Sequence, residues 1–522
     1  MIFNSLVFFV FLGVFMPLYF GLKGKARLWL CLIASYFFYG WWDWRFLSLI
    51  LTSTLIDYFV GLQLRQTDKE KNRKRLLVLS MVVNLGFLAF FKYFNFFIGS
   101  FQEMLSGFGL SSSVHTLKII LPVGISFYTF QSMSYTIDVY KRKILVEPDF
   151  IRFATFISFF PQLVAGPIVR ASEFLPQFQK DRKFEWDRFT AGTGQVIWGF
   201  FKKVAIADSL APFVDQCFAN PGSFGSLHLI IGVIFYSFQI YCDFSGYSDI
   251  AIGLARVMGF DFPDNFKTPY FSRNFSEFWA RWHISLSSWL RDYLYIPLGG
   301  NRSGSFGSFF FIGIGLVVSV ILTKWFWLIP AYLVGIVAVI LLMRHSEAAR
   351  KKTFTYMNNM TTMLLGGLWH GASWAFVFWG FLHGLYLIGQ RVFGPVWGKF
   401  LDKLKAPNFL QNAIAIVIVY FLTCLAWIYF RAADFEVASQ MIGRIASLEQ
   451  FHPAFIVNAF QVAKGFLVIL ILVSIEVMDL RFQWYKQVQA IPAFRIMSFA
   501  FLIWMIAFFG TFGSNAFIYF QF

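Results

Sequence analysis

The sequence is poor in charged residues and in cysteine, and each shortage excludes a class of protein. Charged residues make up only 14% of the chain, whereas a soluble domain carries about 25%. The four cysteines among 522 residues are scattered, without the spacing of a zinc site or a disulfide framework. We therefore expect no metal centre, no disulfide scaffold and no water-soluble fold.

Apolar and aromatic residues dominate the chain instead. Hydrophobic residues make up 58% and aromatic residues 21%, with 72 phenylalanines and a mean hydropathy of +0.62. Several apolar runs are about 20 residues long, which predicts helices rather than a barrel as the spanning elements. The predicted fold class is all-α: a polytopic integral membrane protein with roughly 11–14 spans plus re-entrant and interfacial helices around a central tunnel.

The net charge of +17 does not indicate a nucleic-acid partner, because the basic residues stand at the ends of apolar runs. Basic clusters at 23–27, 65–75 and 141–143 follow the first, third and fifth spans, which places all three in the cytoplasm and the N-terminus outside. The first run, 1–22, lacks the features of a removable signal and is expected to be a retained span.

The pattern becomes irregular after the fifth span. Residues 150–169 contain three helix-breaking positions and have basic residues on both sides, which predicts a re-entrant segment. Residues 190–300 mix apolar runs with charges, so we expect short, tilted or interfacial helices lining a cavity there. The predicted spans are 4–22, 28–42, 46–64, 76–99, 118–140, 307–323, 326–343, 361–392, 411–430, 462–478 and 495–519.

His370 is the leading candidate for chemistry. It lies in the apolar segment Leu364–Trp374, where an ionisable side chain is costly and therefore marks a functional site by default. Histidine titrates near neutrality, which suits proton transfer. The structural alternative is a helix histidine bonded to a neighbouring carbonyl.

A second histidine, His283, lies in a segment rich in Trp and Arg, Phe278–Arg302. An interfacial amphipathic helix with headgroup-level tryptophans explains such a segment as well as a catalytic site does. Two histidines in one membrane protein leave an acid/base pair open, although spacing alone does not bring them together.

Four motifs together resemble the membrane-bound O-acyltransferase family, and within it the bacterial alginate O-acetylase branch. They are Phe-Phe-Pro-Gln-Leu-Val-Ala-Gly-Pro-Ile (159–168), Tyr-Cys-Asp-Phe-Ser-Gly-Tyr-Ser-Asp (241–249), Arg-Trp-His-Ile-Ser-Leu-Ser-Ser-Trp-Leu-Arg-Asp-Tyr (281–293) and Gly-Leu-Trp-His-Gly-Ala-Ser-Trp (367–374). The likeness extends through Trp427–Ala432 and covers most of the chain.

The resemblance implies that His370 is the catalytic base and His283 its partner. An acetyl group would pass from cytoplasmic acetyl-CoA, the donor substrate rather than a bound cofactor, through a tunnel to an acceptor hydroxyl. Physically, one group must take the hydroxyl proton and others must stabilise the oxyanion, a task for His283 or Ser373. An acyl-enzyme on Cys242 is an alternative without any flanking sign of thiolate activation.

The resemblance also implies a setting: the bacterial inner membrane, a hydrolase-like periplasmic partner protein, and an exported or cell-wall polysaccharide such as alginate as acceptor. We expect one membrane domain, 1–522. Residues 303–360 depart from the compact family pattern and are expected to be an inserted hydrophobic hairpin and polar loop, which could dock a partner.

Two other classes of function remain open at this stage. A carrier or channel could use Asp243, Asp249, His283 and His370 to line a polar pathway. A non-catalytic assembly scaffold would need the chain but not His370.

Overall fold

A computed structural model describes residues 1–107, 109–110, 115–180, 182–323, 325, 327–403, 405–483, 488, 490–512 and 517–518. All regular elements in these residues are helices, as the apolar pattern predicts. The first twelve α-helices are α1 Leu6–Gly21, α2 Gly24–Gly40, α3 Leu47–Gln66, α4 Glu70–Leu88, α5 Phe94–Gly107, α6 Ile125–Tyr140, α7 Phe150–Ser158, α8 Phe160–Leu163, α9 Ala171–Phe174, α10 Trp186–Phe200, α11 Asp208–Ala219 and α12 Ser226–Val257.

The described residues in the second half of the chain form ten further α-helices: α13 Phe275–Arg281, α14 Ile284–Leu290, α15 Phe306–Thr323, α16 Leu328–His345, α17 Glu347–His370, α18 Trp374–Lys403, α19 Asn408–Arg431, α20 Phe435–Ser447, α21 Ala459–Phe482 and α22 Pro492–Phe509. Three π-helical segments connect neighbouring helices: Ala89–Tyr93, Phe201–Ala207 and Arg291–Tyr295. Short 3-10 turns cover Trp44–Phe46, Leu175–Gln179, Pro221–Ser223, Pro269–Phe271 and Pro453–Phe455.

Seven helices in the described part of the chain are long and apolar enough to cross a membrane. Two further apolar helices, α1 and Phe306–Val320 within α15, are shorter. Several of the predicted 11–14 spans miss this criterion because their helices are short or carry charges. The seven are Trp44–Gln66, Glu70–Ser106, Ser226–Val257, Leu328–His345, Asn408–Arg431, Ala459–Phe482 and Pro492–Phe509.

The chain forms two compact units. Unit 1 comprises Met1–Phe91, Ile120–Phe266 and Ser439–Phe522, and unit 2 comprises Lys92–Ile119 and Lys267–Ala438. The predicted hairpin at 303–360 forms α15, α16 and the start of α17 in unit 2, where both α15 and α16 pack against α17.

Glycines allow the closest helix packing in unit 1, between α10 and α12. An added Cβ on Gly192 would lie 2.6 Å from the carbonyl oxygen of Gly253, and one on Gly246 would lie 2.7 Å from that of Gly199. Both distances are too short for a side chain, so the two backbones touch twice. Small residues at such crossings are typical of helix pairs in membranes.

The prediction of short helices throughout 190–300 is wrong for α12, which runs unbroken for 32 residues. Its two acidic residues pair with lysines instead of interrupting the helix. Lys203 Nζ lies 2.5 Å from Asp243 Oδ1 and 2.9 Å from Asp208 Oδ1, while Lys202 pairs with Asp249. Pairing offsets the desolvation of buried charges, which allows the helix to stay intact.

Candidate active site

The backbone around His370 is fixed by two helices of unit 2 that cross at glycines. An added Cβ on Gly367 of α17 would lie 2.3 Å from the carbonyl oxygen of Phe376, and one on Gly380 of α18 would lie 2.2 Å from that of Met363. Only hydrogen fits at either position. Gly367, from the motif, and Gly380 therefore set the distance between α17, which ends at His370, and α18.

His370 is buried, with 3% of its surface exposed, and three aromatic rings surround it edge-on. The ring centroids of Trp369 and Trp379 lie 5.0 Å away, and that of Phe430 lies 5.3 Å away. Edge-to-face packing of this kind is favourable and restricts the ring to one orientation. The imidazole is thus held among aromatic side chains of unit 2.

The C-terminal turn of α17 is held by two side chains that sequence reasoning missed. Lys92 Nζ donates to the carbonyl oxygens of Trp369, at 2.7 Å, and of His370, at 3.1 Å. Tyr93 Oη donates to the carbonyl oxygen of Leu368 at 2.8 Å. The last carbonyls of a helix lack intrahelical partners, and a cation is favourable at that end. The sequence does contain a signal for Lys92, because it is a single lysine within the predicted span 76–99.

His283 lies between α13 and α14, with φ of 43° and ψ of 55°. This left-handed conformation is strained for a residue other than glycine and is seen mainly where the surroundings enforce it. The preceding Trp282 is fully buried, stacked 5.7 Å from Phe278 and packed 5.0 Å from Trp427. The packing of Trp282 thus anchors the strained turn.

The structure brings the two predicted histidines into one unit and onto one aromatic side chain. The Trp369 ring lies 5.9 Å from the His283 ring and 5.0 Å from the His370 ring. Both histidines are buried. The imidazoles of His283 and His383 and the ammonium of Lys92 all lie within electrostatic range of His370.

His383 is a third buried histidine of unit 2 that the sequence analysis did not single out. Its ring lies 4.6 Å from Trp379, which also contacts His370, and stacks 5.8 Å from Phe278. Neither ring nitrogen has a hydrogen-bond partner among the residues that the structure describes. It could have been found as a second histidine within the predicted span 361–392.

The other residues considered for chemistry lie elsewhere or act locally. Ser373 Oγ accepts a hydrogen bond from the backbone N–H of Ala375 at 3.2 Å, at the start of α18. Cys242, Asp243 and Asp249 belong to unit 1, where Cys242 is fully buried and the two carboxylates are paired with lysines. Within the described ranges, no group of three His, Cys, Asp or Glu side chains could hold a metal ion.

The arrangement in unit 2 is suited to proton transfer. A neutral imidazole carries one acceptor and one donor nitrogen, so it can take a proton from a hydroxyl and later return one. Among apolar side chains an imidazole stays neutral, so one of its ring nitrogens remains able to accept a proton. Fold and site together define a helical, multi-pass integral membrane protein with a buried histidine centre.

Comparison with known proteins identifies the family. A profile of MBOAT, the membrane-bound O-acyltransferase family, matches residues 33–349, which include His283. The chain belongs to the membrane-bound O-acyltransferase family, as the four motifs predict.

Individual relatives cover most of the chain. The probable alginate O-acetylase AlgI of Pseudomonas aeruginosa is 41% identical over 445 residues, which are 84% of this chain and 74% of that protein. The peptidoglycan O-acetyltransferase of Helicobacter pylori is 34% identical over 86% of this chain and 80% of its own length. The teichoic acid D-alanyltransferase of Bacillus subtilis is 26% identical over 61% of this chain and 71% of its own.

These relationships confirm that the protein is an O-acyltransferase of the membrane. They also decide between the classes of function that the sequence left open. Both the carrier or channel and the non-catalytic scaffold lose their support, because the relatives are named for acyl transfer.

Proposed function

We propose that the protein takes an acetyl group from acetyl-CoA on the cytoplasmic face of the bacterial inner membrane for O-acetylation of an exported or cell-wall polysaccharide. Support for acetyl as the acyl group comes from the relatives named O-acetylase or O-acetyltransferase, at 41% and 34% identity. Alginate is the acceptor named for the first of these relatives and peptidoglycan for the second.

In the proposed mechanism His370 is the general base. Its acceptor nitrogen removes the proton from the acceptor hydroxyl as the hydroxyl oxygen attacks the thioester carbonyl carbon. The resulting tetrahedral oxyanion collapses, the carbon–sulfur bond breaks, and the proton carried by His370 passes to the thiolate of CoA. Acid/base assistance of this kind contributes about 10²–10⁴ in rate.

His283 is proposed as the partner of His370. The observation that carries the assignment is the Trp369 side chain, whose ring contacts both imidazoles. A neutral His283 can donate a hydrogen bond to the oxyanion, and burial strengthens such a bond.

A hydrolase-like protein in the periplasm is proposed to complete the transfer to the polysaccharide. Such a partner separates the membrane step, which consumes the thioester, from recognition of a large acceptor. The acceptor used directly by this chain is then a hydroxyl on the partner or on a carrier, and the same proton transfer by His370 applies.

The test follows labelled acetyl-CoA in membranes that contain the chain together with any periplasmic protein that its neighbouring genes encode. We expect label to reach a hydroxyl acceptor with the wild type and to fall by at least about 10²-fold in His370→Ala. His345→Ala is the matched control, since His345 is an exposed histidine of the same unit. Equal labelling in His370→Ala and His345→Ala would remove His370 from the mechanism, and no labelling in the wild type would overturn acetyl-CoA as donor.

A further inference from the structure

A basic pocket of about 230 Å³ lies within unit 1. It is formed by the start of α2, the start of α7, residues 177–180 and Arg182. These segments adjoin the basic regions that the positive-inside pattern places in the cytoplasm. Among the described residues, the pocket is lined by one carboxylate, Asp149, and by five cationic side chains: Lys25, Arg27, Arg152, Lys180 and Arg182.

Two of the guanidinium groups are held in place by backbone carbonyls and aromatic rings. Arg27 donates to the carbonyl oxygens of Leu22, at 2.8 Å, and Arg182, at 2.5 Å. Arg182 in turn donates to the carbonyl oxygen of Gln177 at 2.6 Å, and its guanidinium carbon lies 4.9 Å from the centroid of the Phe260 ring. The positive charges of Arg27 and Arg182 are therefore preorganised, which lowers the entropic cost of binding a ligand.

The pocket retains unused hydrogen-bonding capacity. The Nε atoms of Arg152 and Arg182 are buried and have no hydrogen-bond partner in the part of the chain that the structure describes. Desolvation lowers the pKa of Arg182, and the nearby Arg188 adds to the effect. Arg152 is paired with Glu147 at 3.0 Å. Lys25, Arg27, Lys180 and Arg182 then face Asp149, which leaves a surplus of three positive charges among the described lining residues. An anion with several acceptor oxygens would satisfy both the charge and the free donors.

We propose that this basic pocket binds phosphate groups. Guanidinium forks match phosphate geometry, and the lysines at the rim supply further charge. The volume lies below the roughly 300–1,000 Å³ of pockets that enclose a whole drug-sized ligand, so the pocket takes a phosphate-bearing end and leaves the rest of the molecule outside. Assignment of those phosphates to the nucleotide end of the thioester donor rests on the proposed function; an anionic lipid headgroup offers the same chemistry.

The experiment uses the full chain in phosphatidylcholine nanodiscs and adenosine 3′,5′-bisphosphate, a nucleotide that carries phosphates but no thioester. We expect the Kd to rise by at least about tenfold in the double variant Lys25→Gln/Lys180→Gln, and likewise in Arg182→Gln, because each variant removes charged donors that would contact the phosphates. Lys183→Gln is the matched control, because Lys183 is exposed, adjacent to Arg182 and outside the pocket. Lys25 and Lys180 are exposed, so the double variant does not threaten folding.

A second arm measures retention of phosphatidylglycerol by the same variants with native mass spectrometry. Unchanged nucleotide binding with loss of the lipid would keep the phosphate site and overturn the nucleotide as its source. Nucleotide and lipid binding that match Lys183→Gln in every variant would overturn the site. Acetyl transfer by the wild type is measured separately. An inactive wild type whose nucleotide binding depends on the pocket would overturn the proposed function and keep the phosphate site. An active wild type whose nucleotide and lipid binding do not depend on the pocket would keep the proposed function and overturn the phosphate site.

Discussion

Lys92 Nζ lies 3.1 Å from the carbonyl oxygen of His370 and donates a hydrogen bond to it. The same ammonium group donates to the carbonyl oxygen of Trp369 at 2.7 Å. Both carbonyls belong to the last turn of α17, which has no intrahelical donors left for them. The orientation of the candidate catalytic residue therefore depends on a lysine from a different part of the chain.

Replacement of Lys92 by methionine tests this dependence. We expect Lys92→Met to lower the rate of acyl transfer by at least about tenfold, because hydrogen bonds from a charged donor contribute about 1.5–3 kcal/mol to holding the turn. Tyr93→Phe removes one neutral hydrogen bond from the same turn and should cost less, about 0.5–1.5 kcal/mol. The measurements are the acyl-transfer rates and melting temperatures of the wild type, Lys92→Met and Tyr93→Phe. A Lys92→Met variant as active as the wild type would contradict a role for Lys92 in orienting His370.

The glycine crossing of α17 and α18 gives a second prediction. Gly367→Ala should lower the melting temperature by several degrees and reduce the amount of folded protein, because the added methyl group would lie 2.3 Å from the carbonyl oxygen of Phe376. Gly389→Ala is the matched control on α18, since the nearest atom to its added Cβ lies 4.0 Å away. The control should be neutral or slightly stabilising, as alanine favours helix. Equal melting temperatures for both variants would show that α17 and α18 separate freely.

The class of fold was predicted from the sequence and is confirmed, and the sequence also singled out His283 and His370 as candidate site residues, because both inferences depend on local signals. Apolar runs identify helices without any knowledge of their neighbours. The motifs around His283 and His370 identify the family, and the structure then places both residues against Trp369.

The sequence could not predict the contacts that hold the site. Lys92 stands 277 positions before Trp369, and the pairing of two such segments is a property of the folded chain. The continuity of α12 was missed for a related reason. In the sequence, its two carboxylates suggest breaks in an apolar helix, because their ion pairs with Lys202 and Lys203 form only in the folded chain.

Substitutions of His283 can distinguish a structural role of this residue from a role in acyl transfer. Asparagine adopts the left-handed conformation more readily than most residues, so His283→Asn should keep the turn and the melting temperature. Acyl transfer should still fall by about 10²-fold, because the shorter amide does not place an N–H where the imidazole donates to the oxyanion, and loss of one such donor costs about 10²–10³ in rate. His283→Ala should lose activity as well, and also some stability, because it removes the ring that packs 5.9 Å from Trp369. Full activity per folded protein in both variants would assign His283 to structure alone.

Asp57 of α3 gives the last prediction, on the stability of unit 1. Its buried carboxylate accepts four hydrogen bonds from α4 and α6: from Asn84 Nδ2 at 2.9 Å, from Thr136 Oγ1 at 3.1 Å, and from the hydroxyls of Ser80 and Ser132. The carboxylate thus joins three helices through polar groups. Asp57→Ala would leave four donors without this acceptor, at about 1–3 kcal/mol for each group that finds no other partner.

We therefore expect Asp57→Ala to be the least stable of a series measured by thermal unfolding in detergent. Asp57→Asn should lie between it and the wild type, because the amide keeps one acceptor oxygen but turns an N–H₂ group toward donors. Asp68→Asn is the control: its carboxylate is 93% exposed and, among the described residues, pairs with exposed Arg142, an interaction worth about 0–1 kcal/mol. A melting temperature for Asp57→Ala equal to that of the control would mean that water replaces the carboxylate, and that α3, α4 and α6 are held by their apolar contacts alone.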